Sequence, residues 1–226
     1  MTNPKIGILC DRFDQGAINT NLWTNPSGSS VATLSTENIP TTLSLVPSYG
    51  SLSIPVDVAI PVVYCTGNSG GTSGIQSVFQ YDLTDSGLSV EISSFTPNNY
   101  QAYFSIGPDS GDLVQWYIDN GGNLDAGTPA GYTRVANAPN FSVYRYFRIY
   151  ENSGTVFWDY SSDGINWTNV LSAADPFDLT AVYVSLNMGG GSGAGPGHVS
   201  WANVNYVLLS KFLAAPYGLV PASLES

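Results

Sequence analysis

Apolar and polar residues alternate with a period of two over several stretches of the chain. In residues 88–93, Leu88, Val90 and Ile92 alternate with two serines and a glutamate, and residues 100–106 and 182–188 repeat the pattern. Successive side chains of a strand point to opposite faces, so this alternation indicates half-buried strands. No window of about 12 residues has convincing helical periodicity. The pattern therefore predicts an all-β fold.

The densest run of aromatic residues is 144–170, YRYFRIYENSGTVFWDYSSDGINWTNV. The clusters at 152–154 and 162–164 combine Asn, Ser, Asp and Gly, which mark tight reversals between strands. Strand alternation places Val156, Trp158 and Tyr160 on one face and their neighbours on the other. The run predicts a β-meander with large side chains on both of its faces.

Many short strand candidates separated by turn signals favour a sandwich or a barrel. Residues 5–13 are predicted as the first strand and residues 1–209 as one antiparallel β-sandwich. The tail, 210–226, carries Pro216, Gly218 and Pro221 among apolar residues, so it is not a regular strand throughout. We expect an irregular C-terminal arm that wraps its own domain or reaches a neighbouring subunit.

The composition excludes two classes of partner. The formal net charge is −11, which repels nucleic-acid phosphates and anionic membranes. The first 13 residues hold only a five-residue apolar run, shorter than the roughly 7–15 residues of a secretory signal. We therefore expect synthesis in a cytoplasm and release, if any, by assembly or lysis. Cys10 and Cys65 could pair or remain as two buried thiols.

Glycoside hydrolysis with retention of the anomeric configuration needs two carboxylates about 5–5.5 Å apart. Among the glutamates, Glu91 has serines as its same-face neighbours, which leaves no second carboxylate beside it on its strand. Asp159 could project beside Glu151 across the 152–154 turn, but a solvated strand face is the ordinary explanation. No catalytic residue is predicted, and the protein is expected not to be an enzyme.

Other reactive groups are equally sparse. His198 is the single histidine and follows a glycine-rich loop with no nucleophile elbow, so neither a catalytic triad nor an imidazole metal site is predicted. Residues 119–125, DNGGNLD, place oxygen ligands at alternate positions, as calcium loops do. They lack the glutamate of an EF-hand, so a hairpin turn is favoured and calcium stays open. No cofactor is predicted.

Aromatic side chains offer the strongest ligand argument, because their faces can stack on sugar rings. Four are candidates for a glycan contact: Trp116, Tyr150, Trp158 and Tyr160. The alternative is that these residues are core or intersubunit contacts, as large aromatic residues mostly are.

Three groups of residues carry a resemblance to a known superfamily: DRFD at 11–14 followed by Trp23, the R-I…G…S-x-D-G-x-x-W series from Arg148 to Trp167, and VSWANV at 199–204. They resemble the corresponding motifs of concanavalin A-like lectin/glucanase domains over roughly residues 9–207. The resemblance implies an antiparallel jelly-roll sandwich. Glucanases of this superfamily carry E-x-D-x-x-E on one strand, and none of the four glutamates here (Glu37, Glu91, Glu151 and Glu225) fits it.

Such domains also occur in bacteriophage accessory proteins. The leading expectation is therefore a non-enzymatic virion protein, capsid-decorating or of the minor tail, that forms a homo-oligomer and contacts other virion proteins. One alternative is a carbohydrate-binding module that attaches a particle to a host surface. The other is a glycoside hydrolase with an atypical site.

Overall fold

The structure is a computed structural model that describes residues 2–14, 17–24, 30–31, 33–45, 52–67, 73–96, 99–109, 111–189 and 197–205. The predicted arm, 210–226, and most of the glycine-rich segment 189–197 lie outside the described residues. In the described part of the chain, no helix is both long and apolar enough to cross a bilayer.

Two sheets form the fold, and nearly all of their neighbouring strands are antiparallel. The eight-stranded sheet has the order β1-β5-β14-β7-β8-β9-β10, with β2 parallel to β5. Its strands are β1 (Trp23–Thr24), β2 (Ser30–Val31), β5 (Ser73–Ser77), β7 (Gln101–Gly107), β8 (Val114–Ile118), β9 (Leu124–Thr128), β10 (Gly131–Ala136) and β14 (Tyr183–Gly189).

The seven-stranded sheet has the order β13-β12-β11-β6-β15-β4-β3. Its strands are β3 (Thr33–Leu45), β4 (Leu52–Gly67), β6 (Gly87–Thr96), β11 (Tyr146–Asn152), β12 (Thr155–Ser161), β13 (Thr168–Ala174) and β15 (Gly197–Ala202). Strands that are neighbours in space are often distant in sequence, as β6 is from β11 and β15.

The core lies between the two sheets. The alternating apolar residues of β6, β7 and β14 are all buried there, as the sequence pattern predicts: Leu88, Val90, Ile92, Ala102, Phe104, Ile106, Val184, Leu186 and Met188. Burial of these side chains is the main source of stability in a fold of this kind. The predicted antiparallel β-sandwich is confirmed.

The predicted meander is also confirmed. Strands β11, β12 and β13 are consecutive neighbours, and Arg148 lies opposite Asp159 in the β11–β12 register. Ser153 and Gly154 form the first reversal with φ of 53° and 81°. This left-handed region is costly for most residues and free for glycine, which explains Gly154 at this turn.

The N-terminal prediction is wrong. Residues 5–13 are not a strand: Ile6–Ile8 forms one 3-10 turn, closed by a 3.0 Å hydrogen bond from Leu9 N to the Ile6 carbonyl. Ile6 and Leu9 are both buried, three residues apart, which a two-residue period does not allow. The run is apolar as predicted, but its buried residues follow the three-residue period of a 3-10 turn and not the two-residue period of a strand.

Candidate functional site

Two rows of side chains cross the outer face of the eight-stranded sheet, from β14 to β10. The strand register defines both rows. The first contains Ser185, Ser105, Gln115, Gly127 and Tyr132; the second contains Asn187, Tyr103, Tyr117, Asp125 and Arg134. On β14, β7, β8 and β9 their strand neighbours are buried in the core, so these residues point away from it. We call this surface the tyrosine face.

Three aromatic rings form a strip on the tyrosine face. Tyr103 and Tyr117 stack with centroids 5.2 Å apart, and Tyr117 lies 5.5 Å from Tyr132. Tyr132 is 52% exposed, whereas the other two rings are partly buried. Aromatic rings with polar ends suit sugars, which combine apolar C–H faces with hydroxyl groups.

Hydrogen bonds fix the polar groups around this strip. Ser105 Oγ donates to Gln115 Oε1 at 2.9 Å, and Gln115 Nε2 donates to the Tyr132 hydroxyl at 2.5 Å. Tyr103 donates its hydroxyl hydrogen to Gln101 Oε1. A ligand would therefore meet groups that are already oriented, which lowers the entropy cost of binding.

The hydroxyls of Tyr103 and Tyr117 stay protonated at neutral pH, because their pKa values are raised. Burial raises the pKa of Tyr103, and the neighbouring Tyr117 and Tyr132 raise it further. Burial also raises the pKa of Tyr117, with added contributions from Asp119 and Asp125. Neutral hydroxyls can both donate and accept hydrogen bonds, which is what a sugar hydroxyl needs from its partner.

Gly127 provides space for the exposed end of the strip. A Cβ at this position would lie 2.3 Å from the Gly131 carbonyl oxygen and 2.8 Å from Tyr132 Cα. The glycine thus allows β10 to approach β9 closely enough for Tyr132 to reach Gln115. A side chain at 127 would displace backbone atoms, which are the least adaptable neighbours.

An ionic cluster borders the tyrosine strip. Arg134 donates from Nε to Asp125 Oδ1 at 2.6 Å and from Nη2 to Asp119 Oδ2 at 2.9 Å. Burial alone would raise the pKa of Asp119, but hydrogen bonds from Asn123 and the charge of Arg134 outweigh it, and the pKa is lowered. One guanidinium thus holds two carboxylates beside the aromatic strip.

The favoured hairpin turn at 119–123 is confirmed. It joins β8 to β9, and Asn123 N donates to Asp119 Oδ1 at 2.8 Å. Among the described residues no group of three or more His, Cys, Asp or Glu side chains could hold one metal ion. Calcium binding here stays an open alternative.

Two of the four predicted glycan contacts belong to the core. Trp116 is 2% and Trp158 0% exposed, so neither offers a ring face to a ligand. Trp116 Nε1 donates to the Arg148 carbonyl at 3.1 Å, and Trp158 Nε1 donates to the Gln115 carbonyl at 3.0 Å. The prediction is corrected for these two residues, because both rings serve packing between the sheets.

The other two candidates lie on different surfaces. Tyr150 is half-buried on the outer face of the seven-stranded sheet and stacks on Phe157 with centroids 4.9 Å apart. Tyr160 lies on the core side of β12 and contacts Tyr144 at 4.5 Å. The four candidates therefore form no common platform, and a glycan contact by Tyr150 or Tyr160 stays a prediction.

The structure separates the candidate carboxylate pair of Glu151 and Asp159. Asp159 shares the outer face of the seven-stranded sheet with its partner Arg148, whereas Glu151 pairs with Val156 on the opposite face. Glu151 accepts backbone N–H groups of Asp85 and Gly154, the second at 2.5 Å. Both carboxylates are buried rather than solvated, at 4% and 2% exposure, because each has fixed hydrogen-bond donors.

The other residues considered from the sequence are Glu91, His198 and the two cysteines, and each has its own place in the fold. Glu91 is fully buried, accepting from Arg145 Nη2 at 2.5 Å and from Asn203 Nδ2 at 2.6 Å. His198 Nε2 lies 3.5 Å from Thr96 Oγ1 on the neighbouring strand. Cys10 is exposed, Cys65 is buried, and no disulfide joins them.

Sequence reasoning missed the tyrosine face. The alternating pattern of residues 100–106 places Tyr103 on the side away from the core and says nothing more of it, and no sequence signal considered above points to Tyr117 or Tyr132. One signal was available: Tyr103 and Tyr117 sit at positions of β7 and β8 whose strand neighbours are apolar core residues. A tyrosine on the non-core face of a sheet exposes a large ring, which marks it as a binding candidate.

The two packed, nearly all-antiparallel sheets form a jelly-roll sandwich of the concanavalin A-like fold, and solved structures with this fold support the assignment. Bacillus licheniformis beta-glucanase matches with a TM-score of 0.52 and 12% identity over 87% of this chain and 95% of that chain. Crh5 transglycosylase in complex with NAG matches with a TM-score of 0.57 and 13% identity, over 90% of this chain and 86% of that chain. A beta-1,3-1,4-glucanase (lichenase) from a mouse hindgut metagenome matches with a TM-score of 0.53 and 10% identity, over 87% of this chain and 96% of that chain.

These matches confirm the predicted fold class. Their sequence identities are so low that they support the fold alone. Comparison with protein-family models gave no match, and neither did comparison with curated proteins.

The expectation of a non-enzymatic virion protein is wrong on this finding. The structures that share the fold are named as glucanases and a transglycosylase, and they give no support for a bacteriophage context. The expectation depended on the absence of E-x-D-x-x-E. At such low identity catalytic carboxylates need not occupy the same positions, so a missing motif does not exclude an enzyme.

Proposed function

We propose that this protein binds a polysaccharide chain across the tyrosine face and cleaves or transfers a glycosidic bond there. The observation that carries the proposal is the strip of Tyr103, Tyr117 and Tyr132 beside the hydrogen-bonded Ser105 and Gln115. Stacking platforms next to fixed polar groups are the usual chemistry of sugar recognition.

The strip has the dimensions of an extended ligand. Strands β7, β8, β9 and β10 lie side by side, so the three spacings between them span roughly 14 Å. This length exceeds one sugar ring, which favours a chain of sugars over a monosaccharide. The chain would run across the strands, with its ring faces on the tyrosines.

Charge favours a neutral glycan. Asp119 and Asp125 outnumber the single Arg134 at the edge of the strip, and the whole chain carries −11. A polyanionic polysaccharide would be repelled by this surplus. The names of the structures that share the fold point the same way, to glucans and N-acetylglucosamine.

Asp119 and Asp125 are the carboxylates that we assign to the reaction. Glycosidases place an acid and a carboxylate on either side of the scissile bond. Asp119, whose pKa is lowered, suits the ionised role, and we assign to Asp125 the role of the acid that gives its proton to the leaving oxygen once the substrate displaces Arg134 from it. Arg134 keeps the two beside the aromatic strip, so substrate hydroxyls must compete with it for these oxygens.

The test measures binding and turnover separately on the full chain. Probes are mixed-linkage beta-1,3-1,4-glucan and oligomers of N-acetylglucosamine, followed by calorimetry and by release of new reducing ends. We expect Tyr117→Ala to weaken binding about tenfold, for a loss of roughly 1.4 kcal/mol of stacking. Asp119→Asn should abolish turnover while binding persists.

Phe79→Ala, an exposed aromatic change outside both the tyrosine face and the pocket of the seven-stranded sheet, is the matched control and should leave both readouts unchanged. The proposal would be overturned if the protein neither binds nor turns over either of the two probes. Binding without any bond cleavage or transfer would overturn its catalytic half.

A further inference from the structure

A pocket of about 640 Å³ opens on the outer face of the seven-stranded sheet, across the sandwich from the tyrosine face. Strands β6 and β11 supply its floor and the β12–β13 loop one wall. Its size lies within the roughly 300–1,000 Å³ of ordinary ligand sites. Six of its lining residues carry the argument below: Gly87, Ser89, Arg148, Tyr150, Asn152 and Trp167.

Arg148 is fixed between two aromatic rings of the pocket. Its guanidinium carbon lies 4.4 Å from the Trp167 ring centroid and 4.7 Å from that of Tyr150. The same guanidinium binds Asp159, with Nε 3.1 Å from Oδ2. Its charge is thus compensated, and it serves as a rigid, flat hydrogen-bond donor beside two rings.

The loop that carries Trp167 is held in place by its own side chains. Asp163 Oδ1 accepts the backbone N–H groups of Ile165 and Asn166, both at 2.8 Å. Ser161 Oγ accepts the N–H of Gly164 at 2.9 Å, and Gly164 has a φ of 74°. The wall is therefore ordered before any ligand arrives, which favours binding.

Gly87 sets the depth of the floor. A Cβ at this position would lie 2.5 Å from Tyr150 Cβ and 3.2 Å from the Ile149 carbonyl oxygen. The glycine leaves space in front of Tyr150, while Ser89 and Asn152 add polar groups to the lining.

The charges around the pocket select a neutral ligand. Arg148 is already paired with Asp159, and Asp85 and Glu151 add two more carboxylates, so an anion would be repelled. The Glu151 oxygens accept backbone N–H groups, and no cluster of metal ligands occurs among the described residues. Aromatic edges with neutral and guanidinium donors match a polyhydroxylated, uncharged ring.

We propose that this pocket is a second carbohydrate-binding site that takes one neutral sugar residue, with its ring against the edges of Trp167 and Tyr150 that Arg148 leaves uncovered. Its hydroxyls contact Arg148, Ser89 and Asn152. The site is independent of the tyrosine face, since the two lie on opposite sheets. It would hold a sugar even in a protein that cleaves none.

The test titrates the isotope-labelled full chain with methyl glycosides of glucose, galactose, mannose and N-acetylglucosamine. We expect one of them to shift the Trp167 indole N–H signal, with Kd in the millimolar range. Trp167→Ala and Asn152→Ala should each weaken that binding about tenfold, a loss of roughly 1.4 kcal/mol. Ile165→Ala, an exposed change on the same loop but outside the lining, and Tyr117→Ala should not affect it.

Two results would overturn the proposal. One is an unchanged Trp167 signal with all four glycosides at millimolar concentration. The other is binding that Tyr117→Ala removes and Asn152→Ala keeps, which would assign the sugar to the tyrosine face. Asn152 is an exposed turn residue, so its variant remains informative if Trp167→Ala loosens the loop.

Discussion

Trp116 and Trp158 form a reciprocal pair of hydrogen bonds between the two sheets. The Trp116 indole of β8 donates to the Arg148 carbonyl of β11, and the Trp158 indole of β12 donates to the Gln115 carbonyl of β8. Each acceptor lies on the sheet opposite its donor. Since Gln115 lies on the tyrosine face and Arg148 in the pocket, the two indoles connect the core to both candidate binding surfaces.

Trp158→Phe should therefore destabilise the fold and disturb the tyrosine face. The change keeps most of the apolar volume but removes the indole N–H that donates to the Gln115 carbonyl, and loss of such a hydrogen bond costs about 1 kcal/mol. Chemical denaturation measures this loss. Trp201→Phe is the matched control, because Trp201 is 1% exposed and its Nε1 finds no hydrogen-bond partner among the described residues. Equal losses in the two variants would show that the hydrogen bond contributes nothing.

Gly127→Ala should lower both stability and glycan affinity. Its methyl group would meet the Gly131 carbonyl oxygen at 2.3 Å, so β10 must move and carry Tyr132 away from Gln115. Overpacking of this kind costs about 1–3 kcal/mol. Gly111→Ala is the control, since its nearest contact is Asp109 Oδ1 at 3.3 Å. Thermal unfolding and glycan titration check the pair, and a Gly127→Ala variant as stable as Gly111→Ala would contradict the expected clash.

Much of the fold could be predicted from local sequence, because strands and turns depend on near neighbours. Alternation placed Leu88 and Val90 in the core, and Gly154 marked the turn of the meander. The 3-10 turn at Ile6–Ile8 could not be read in the same way, since one short apolar run fits either period.

The candidate site depends on contacts that sequence spacing does not reveal. Tyr103, Tyr117 and Tyr132 are 14 or more residues apart, and only the order β7-β8-β9-β10 brings them together. By contrast, the error over Glu151 and Asp159 was avoidable. A reversal at 153–154 pairs Arg148 with Asp159, and Glu151, three residues from Arg148, must then face the other way.

Acid should weaken the loop that carries Trp167. Burial alone would raise the pKa of Asp163, but hydrogen bonds from Asn166, Ile165 and Ser161 outweigh it and hold the pKa well below its usual value. The pKa of an aspartate in the unfolded chain is about 3.9. Because the pKa of Asp163 is lower in the folded protein, ionised Asp163 stabilises the folded state at pH values above about 3.9, and this contribution is lost as the pH falls below that value. Asp163→Asn should thus be less stable than the parent at pH 7, with the gap narrowing toward pH 3. Denaturation curves across this range give the result, and a constant gap would refute the assignment.

Cys65 should resist alkylation in the folded protein, while Cys10 reacts. Burial raises the pKa of Cys65 to about 12, so its thiolate is scarce at neutral pH as well as inaccessible. Cys10 is exposed. Intact mass after iodoacetamide should show one adduct in the native state and two in denaturant. With Cys10→Ser the native protein should remain unmodified, and rapid labelling of that variant would disprove the burial of Cys65.

The ion pair of Arg148 and Asp159 should stabilise the fold only as a pair. Asp159 is 2% exposed, so Arg148→Met leaves a buried carboxylate whose remaining side-chain donor is Asn169. Removing one partner of a buried pair costs about 3 kcal/mol, whereas replacing both with apolar residues is often neutral. A double-mutant cycle of Arg148→Met, Asp159→Leu and their combination tests this by denaturation, and the double variant should recover most of the stability lost by Arg148→Met. Additive losses in the cycle would mean that the two side chains do not act together, and that Arg148 is held in the pocket by its aromatic neighbours alone.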